Sequence, residues 1–135
     1  MPERNKRRIL LAEDDTSVLK MTRLRLEHEG FEVLVATDGE EALQQMADAG
    51  EVDLVLLDVR MPKLDGFQVC KRLREDPQTM RIPIIVFTAS VTQLQRLTDQ
   101  CIELGVTGWL RKPFRSKDLM DKIHEALGEE GTANG

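Results

Sequence analysis

The chain has 135 residues, enough for one domain around one core, and its 41% hydrophobic content excludes a disordered chain. A net charge of −5 with only 4% aromatic residues argues against a nucleic-acid surface, and no apolar run is long enough to span a bilayer. The basic start at 1–8, with Arg4, Lys6, Arg7 and Arg8, reads as a solvated flank before a hydrophobic strand. No apolar segment of signal-peptide type follows it. Cys70 and Cys101 lack metal-ligand spacing, so reduced thiols in a cytoplasmic protein are expected.

Five short apolar runs alternate with five helical patterns. Ile9 to Ala12 is the first strand expected. A helix over Thr16 to Glu29 follows, with Thr16 or Ser17 as its cap and Gly30 at its end. Phe31 to Ala36 is the second strand. Asp38 opens a helix with Ala42, Leu43, Met46 and Ala47 on one face, and Gly50 stops it. Val52 to Leu57 is the third strand. Asp65-Gly66 opens the third helix, whose expected buried stripe is Phe67, Cys70 and Leu73, and Pro77 closes it. Pro83 introduces the strand Ile84 to Phe87. A fourth helix carries Leu94, Leu97, Cys101 and Leu104 at helical spacing and ends at Gly105. Val106 to Leu110, with the single Trp109, is the last strand. Ser116 is the expected cap of a final helix that turns Leu119, Ile123 and Leu127 inward. The tail at 129–135 is small and polar, a flexible end or a cut linker.

Strict strand–helix alternation with short links predicts a parallel sheet covered by helices on both faces. Strands in such a sheet are apolar on both sides, as these are. All carboxyl ends of the strands then share one edge, which is where ligands bind in open α/β sheets. The first strand runs into Glu13-Asp14-Asp15, the third into Asp58, the fourth into Thr88-Ala89-Ser90, and the fifth into Lys112-Pro113. Separately, each is bland: an acidic helix lead-in, a strand-end hydroxyl, a solvated lysine. Together they gather several acids, a hydroxyl and an ammonium in one crevice.

Like charges about 4 Å apart repel by roughly 4 kcal/mol at an effective dielectric of about 20. Such a site must raise a pKa, stay wet or bind a cation; a hard divalent ion answers the repulsion, and oxygen-only ligands favour Mg²⁺. Asp58 is then placed as a nucleophile toward a phosphoryl group, with Lys112 and the metal neutralising its oxygens and Thr88 donating a hydrogen bond.

Glu13-Asp14, Asp58 in D-x-x-M-P-x-x-D-G, Thr88-Ala89 and Lys112-Pro113-Phe114 occur in this order at these strand ends. In this the chain resembles the receiver domains of two-component response regulators, over roughly residues 8 to 128. The resemblance implies a single (βα)5 flavodoxin-like domain at 9–128 with strand order 2-1-3-4-5. It implies that Asp58 accepts a phosphoryl group from a histidine of a sensor kinase or of a phosphotransfer protein. Asp14, Asp58 and the backbone carbonyl of Arg60 would hold Mg²⁺, with Mn²⁺ as a substitute, and Glu13 would act through water. Lys112 would pair with Asp58, and the Lys112–Pro113 bond would be cis. Thr88 would be the switch residue, and Ala89 would leave access to the acceptor. Trp109 stands where the family usually has Tyr or Phe, so its part in the switch is open. Arg60 and Ser90 occupy positions that tune phosphoryl lifetime.

The same resemblance implies a signalling phosphoacceptor that catalyses its own phosphoryl transfer and autodephosphorylation, rather than an enzyme acting on other substrates. Its output surface would be the fourth helix, fifth strand and fifth helix, with Arg96, Arg111, Arg115, Lys117 and Asp118 as contact charges. An output domain or effector, a phosphorylation-dependent dimer, and no direct binding to nucleic acid or membrane are expected. Three rivals share the fold. An interaction module would not need the intact acid set. A small-molecule phosphatase would want a D-x-D nucleophile after the first strand, and Glu13-Asp14-Asp15 lacks it. A flavodoxin-like carrier would want a hydroxyl- and glycine-rich phosphate loop there. His28 and His124 are expected on the surface.

Overall fold

The computed structural model describes residues 6–89, 99 and 103–128. Its elements are β1 (Arg8–Ala12), α1 (Thr16–His28), β2 (Glu32–Ala36), α2 (Gly39–Ala49), β3 (Leu54–Asp58), α3 (Gly66–Glu75), β4 (Ile84–Thr88), β5 (Gly108–Arg111) and a C-terminal helix (Ser116–Ala126). The five strands form one parallel sheet in the order β2-β1-β3-β4-β5, as expected. Leu94, Leu97 and Cys101 of the expected fourth helix, along with Ser90, Arg96 and the tail at 129–135, lie outside the described residues.

The alternation of side chains across each strand divides the core in two. Leu10, Val55, Leu57, Ile84 and Val86 face α2 and α3, where Ala42, Met46, Val69, Cys70 and Leu73 meet them. Ile9, Leu11, Leu54, Leu56, Ile85 and Phe87 face the other way, toward Leu26 of α1 and Leu119, Met120 and Ile123 of the C-terminal helix. Every residue of β3 and β4 is buried, including Asp58 and Thr88. Each fully buried aliphatic side chain contributes about 1.5–3 kcal/mol, so two polar groups sit where apolar ones would stabilise more.

Several expectations are corrected. Asp15 caps α1, accepting from the amides of Ser17 and Val18 at 2.9 and 3.1 Å; Thr16 and Ser17 are already helical. A carboxylate one residue earlier outcompetes both hydroxyls because it reaches two amides at once. Arg115, not Ser116, occupies the cap position of the C-terminal helix and makes no side-chain cap bond. β1 begins at Arg8, inside the expected flank, because Arg8 pairs with Glu32 across the sheet. β5 starts at Gly108, paired with Ile85, rather than at Val106. Ala47 is exposed, and Val69 joins Cys70 and Leu73 in the buried stripe of α3 while Phe67 is only half-buried. Leu127 is likewise half-buried, whereas Met120 is buried. His28 is exposed, but His124 is half-buried.

Asp38 caps α2 through the Glu41 amide at 2.8 Å, and Asp65 and Gln68 form a reciprocal capping box on α3. Among the described residues, no helix is long and apolar enough to cross a membrane.

Candidate functional site

The strand order reverses direction between β1 and β3, and that reversal opens a crevice at the carboxyl edge of the sheet. β1 delivers Glu13 and Asp14 to one side of it; β3 delivers Asp58 to the other. One carboxylate oxygen from each of these three residues lies within 4.8 Å of the other two. Glu13 is fully buried, Asp58 is 6% exposed and Asp14 faces solvent. The site is therefore closed at its base and open at Asp14.

β5 brings the balancing charge. The Lys112 amide donates to the Thr88 carbonyl at 2.7 Å, extending the sheet by one rung beyond Arg111. The Lys112–Pro113 bond is cis. The Lys112 ammonium lies 3.3 Å from Asp58 Oδ1 and is also ion-paired with Glu13 Oε1. The other Glu13 oxygen accepts from the Asp15 amide at 3.1 Å. The pairing of Lys112 with Asp58 is the expected one. That with Glu13 was not legible in the sequence, since nothing in three consecutive acids shows which is turned inward.

These contacts set the electrostatics. Burial first, and the neighbouring Glu13 second, push the Asp58 carboxyl up from 3.8 to about 7 against the opposing pull of Lys112. Burial pulls the Lys112 ammonium down, but its pairs with Glu13 and Asp58 outweigh that and hold it above its ordinary value. Three carboxylates against one ammonium leave an excess of negative charge. A hard divalent cation fits this donor set: oxygen-only, clustered, and carrying a buried acid whose ionisation is disfavoured without further positive charge.

Thr88 ends β4, one residue beyond Phe87, the register partner of Asp58, and is 1% exposed. Ala89, next to it, is exposed. Arg60 is exposed at the start of the loop after β3. That loop is fixed at its root, where the Val59 amide donates to the Phe87 carbonyl and the Gly66 amide to the Val59 carbonyl, both at 2.9 Å. Trp109 sits on the edge strand opposite Val86 and is 37% exposed. The structure thus gathers Glu13, Asp14, Asp58 and Lys112 into one cluster, with Thr88 at the same edge and Trp109 away from it. Beside Lys112 and Ala89 an apolar groove of about 500 Å³ runs between α1 and the C-terminal helix, lined by Val18, Met21, Phe114 and Leu119.

A family model described as the response regulator receiver domain matches residues 9–124. The chain is 42% identical over 120 residues to the transcriptional regulatory protein CpxR of Escherichia coli (strain K12), covering 89% of this chain and 49% of CpxR. It spans about half the length of the curated relatives it matches. Among solved structures it is similar to the chemotaxis response regulator CheY4 of Vibrio cholerae, with a TM-score of 0.83 and 31% identity over 91% of this chain and 100% of that one. It is also similar to the receiver domain of the sensor histidine kinase PA1611 from Pseudomonas aeruginosa PAO1, with a TM-score of 0.78 and 29% identity over 92% and 99% of the two chains. That structure has a magnesium ion coordinated in its active site cleft.

Proposed function

The chain belongs to the response regulator receiver-domain family, and from that premise we propose that Asp58 is its phosphoacceptor, served by Glu13, Asp14, Thr88 and Lys112. The observation that carries this reading is the position of Asp58. It ends a fully buried strand, with Lys112 Nζ 3.3 Å away and two further carboxylates in reach.

Asp14, Asp58 and the Arg60 carbonyl would hold Mg²⁺, with Glu13 behind them through water; Mn²⁺, equally suited to oxygen ligands, would substitute. Once bound, the ion supplies positive charge to the phosphoryl oxygens. The rest falls to side chains. An Asp58 oxygen attacks the phosphorus of a phosphohistidine, the P–N bond breaks, and the bonding pair leaves with the imidazole, which retains a proton. Lys112 exchanges part of its carboxylate pairing for the new phosphoryl oxygens. Thr88 donates its hydroxyl to the same group and passes the change to β5 and its neighbours. Hydrolysis of the acyl phosphate by water resets the site, so the chain catalyses both its own loading and its own release.

The histidine is carried by a sensor kinase or a phosphotransfer protein, which we place over the apolar groove beside Lys112, where Met21 is 72% exposed. Residues 8–128 are then the receiver unit, after a basic flank at 1–7 and before a tail or linker at 129–135. The partner for output, through β5 and the C-terminal helix, is an effector domain or a phosphorylation-dependent second copy.

Incubation with acetyl phosphate and Mg²⁺, followed by intact mass measurement, tests the assignment. One phosphoryl group is expected on the wild type, lost with EDTA and absent in Asp58→Asn. Undiminished labelling of that variant would assign the acceptor elsewhere.

A further inference from the structure

The loop at 59–65, which leaves the end of β3, is held against the start of α2 by a close approach between two backbones. Gly39, the buried first residue of α2, donates its amide to the Pro62 carbonyl at 3.3 Å. A Cβ at this position would overlap both the carbonyl oxygen and the Cβ of Leu64. From the other side the loop is bracketed by Gly66, where a Cβ would come 2.5 Å from the Asp58 carbonyl oxygen. Lys63 ties the outside, its ammonium 3.6 Å from Asp38 and 3.8 Å from Glu40. Helix propensity alone argues against glycine at position 39, because alanine is the better helix former. A residue that loses locally and is required by its neighbour marks a tertiary constraint. Three residues, one of them the stiff Pro62, separate Leu64 from Arg60, so a shift at Leu64 is transmitted to the Arg60 carbonyl.

We propose that Gly39 is a positioning residue for the metal site. By admitting Leu64 against α2, it sets where the loop presents the Arg60 carbonyl beside Asp58. The inference rests on the Mg²⁺ reading given above, and concerns a residue outside the acid cluster.

Mg²⁺ titration of the full chain, followed by calorimetry alongside urea unfolding, tests it. Gly39→Ala is expected to weaken Mg²⁺ binding about ten- to hundredfold, the range seen when groups that orient metal ligands are changed. Ile123→Val, a destabilising change in the opposite core, is expected to bind Mg²⁺ as the wild type does. A folded Gly39→Ala with unchanged affinity would overturn the proposal, as would an equal loss in Ile123→Val. Should Gly39→Ala not fold, the double variant Gly39→Ala/Leu64→Gly removes the overlap with the Leu64 Cβ. Its affinity is expected to stay below that of Leu64→Gly alone, and equality would again overturn the proposal. Absence of Mg²⁺ binding by the wild type would defeat the metal-site reading itself, and the role of Gly39 with it.

Discussion

Asp58→Asn is expected to make the metal-free protein more stable, by an amount that depends on pH. Burial first, and Glu13 second, hold the Asp58 carboxyl at about 7, against 3.8 for an ordinary aspartate. The folded chain therefore binds this proton more tightly than the unfolded chain does. Below the unfolded value both states carry the proton and the group costs nothing. Between 3.8 and about 7 the unfolded state ionises while the folded state resists, so stability falls as pH rises; above about 7 the cost is constant. About three pH units at about 1.4 kcal/mol each set a ceiling of roughly 4 kcal/mol. The crevice is open to water at Asp14, which relaxes part of this, so a gain of about 2–4 kcal/mol is expected in Asp58→Asn near pH 8. Urea unfolding of both proteins in EDTA, repeated from about pH 8 down to about pH 4, measures the difference. The gain is expected to shrink below neutrality and vanish near the lower end. Mg²⁺ is expected to narrow it at high pH by stabilising the wild type selectively. A pH-independent gain, or a loss at pH 8, would refute the electrostatic reasoning.

Arg74 donates to four carbonyls, those of Leu104, Met80, Ile82 and Gly105, at 2.8–3.0 Å, and so clamps the loop before β4 to the turn before β5. Lysine has no planar fork to reach them all, so Arg74→Lys is expected to lower stability by about 2–3 kcal/mol; an unchanged denaturation midpoint would contradict the clamp. Lys63 has a φ of 70°, in the region that suits glycine, and its ion pairs to Asp38 and Glu40 lie at the surface. Lys63→Gly is therefore expected to gain about 0.5–1 kcal/mol, strain relief exceeding the lost pairs; a lower melting temperature would show that the pairs dominate.

The site was legible to the extent that strand ends decide it. In a parallel sheet the residue after a strand is also a residue at the common edge, so Asp14, Asp58, Thr88 and Lys112 could be placed from apolar run lengths alone. Asp58 proved to be the last residue of β3 rather than the one following it, which draws it deeper into the sheet and accounts for its burial. What the sequence concealed was local competition among similar groups. Asp15, Thr16 and Ser17 are all good caps, and only the chain path selects Asp15. Glu13 and Asp14 differ by one position on an extended segment, which sends one inward to Lys112 and the other to solvent. Backbone proximity was equally hidden. The reason for glycine at position 39 lies 25 residues away at Leu64, and no periodicity records it.

These observations tie stability to function at one carboxylate. The same burial that makes Asp58 costly to ionise also removes the water that would compete for its oxygens. The ammonium that partly relieves the cost would, on the proposed reading, also meet a doubly charged phosphoryl group. Replacing Asp58 should thus stabilise the chain and abolish labelling in one step, whereas replacing a purely structural core residue should weaken the fold without changing where the phosphoryl group goes. A protein selected for stability alone would have no reason to keep an acid at the end of a fully buried strand. Its place there, beside a lysine and two further acids, is what the proposed chemistry at that atom would require.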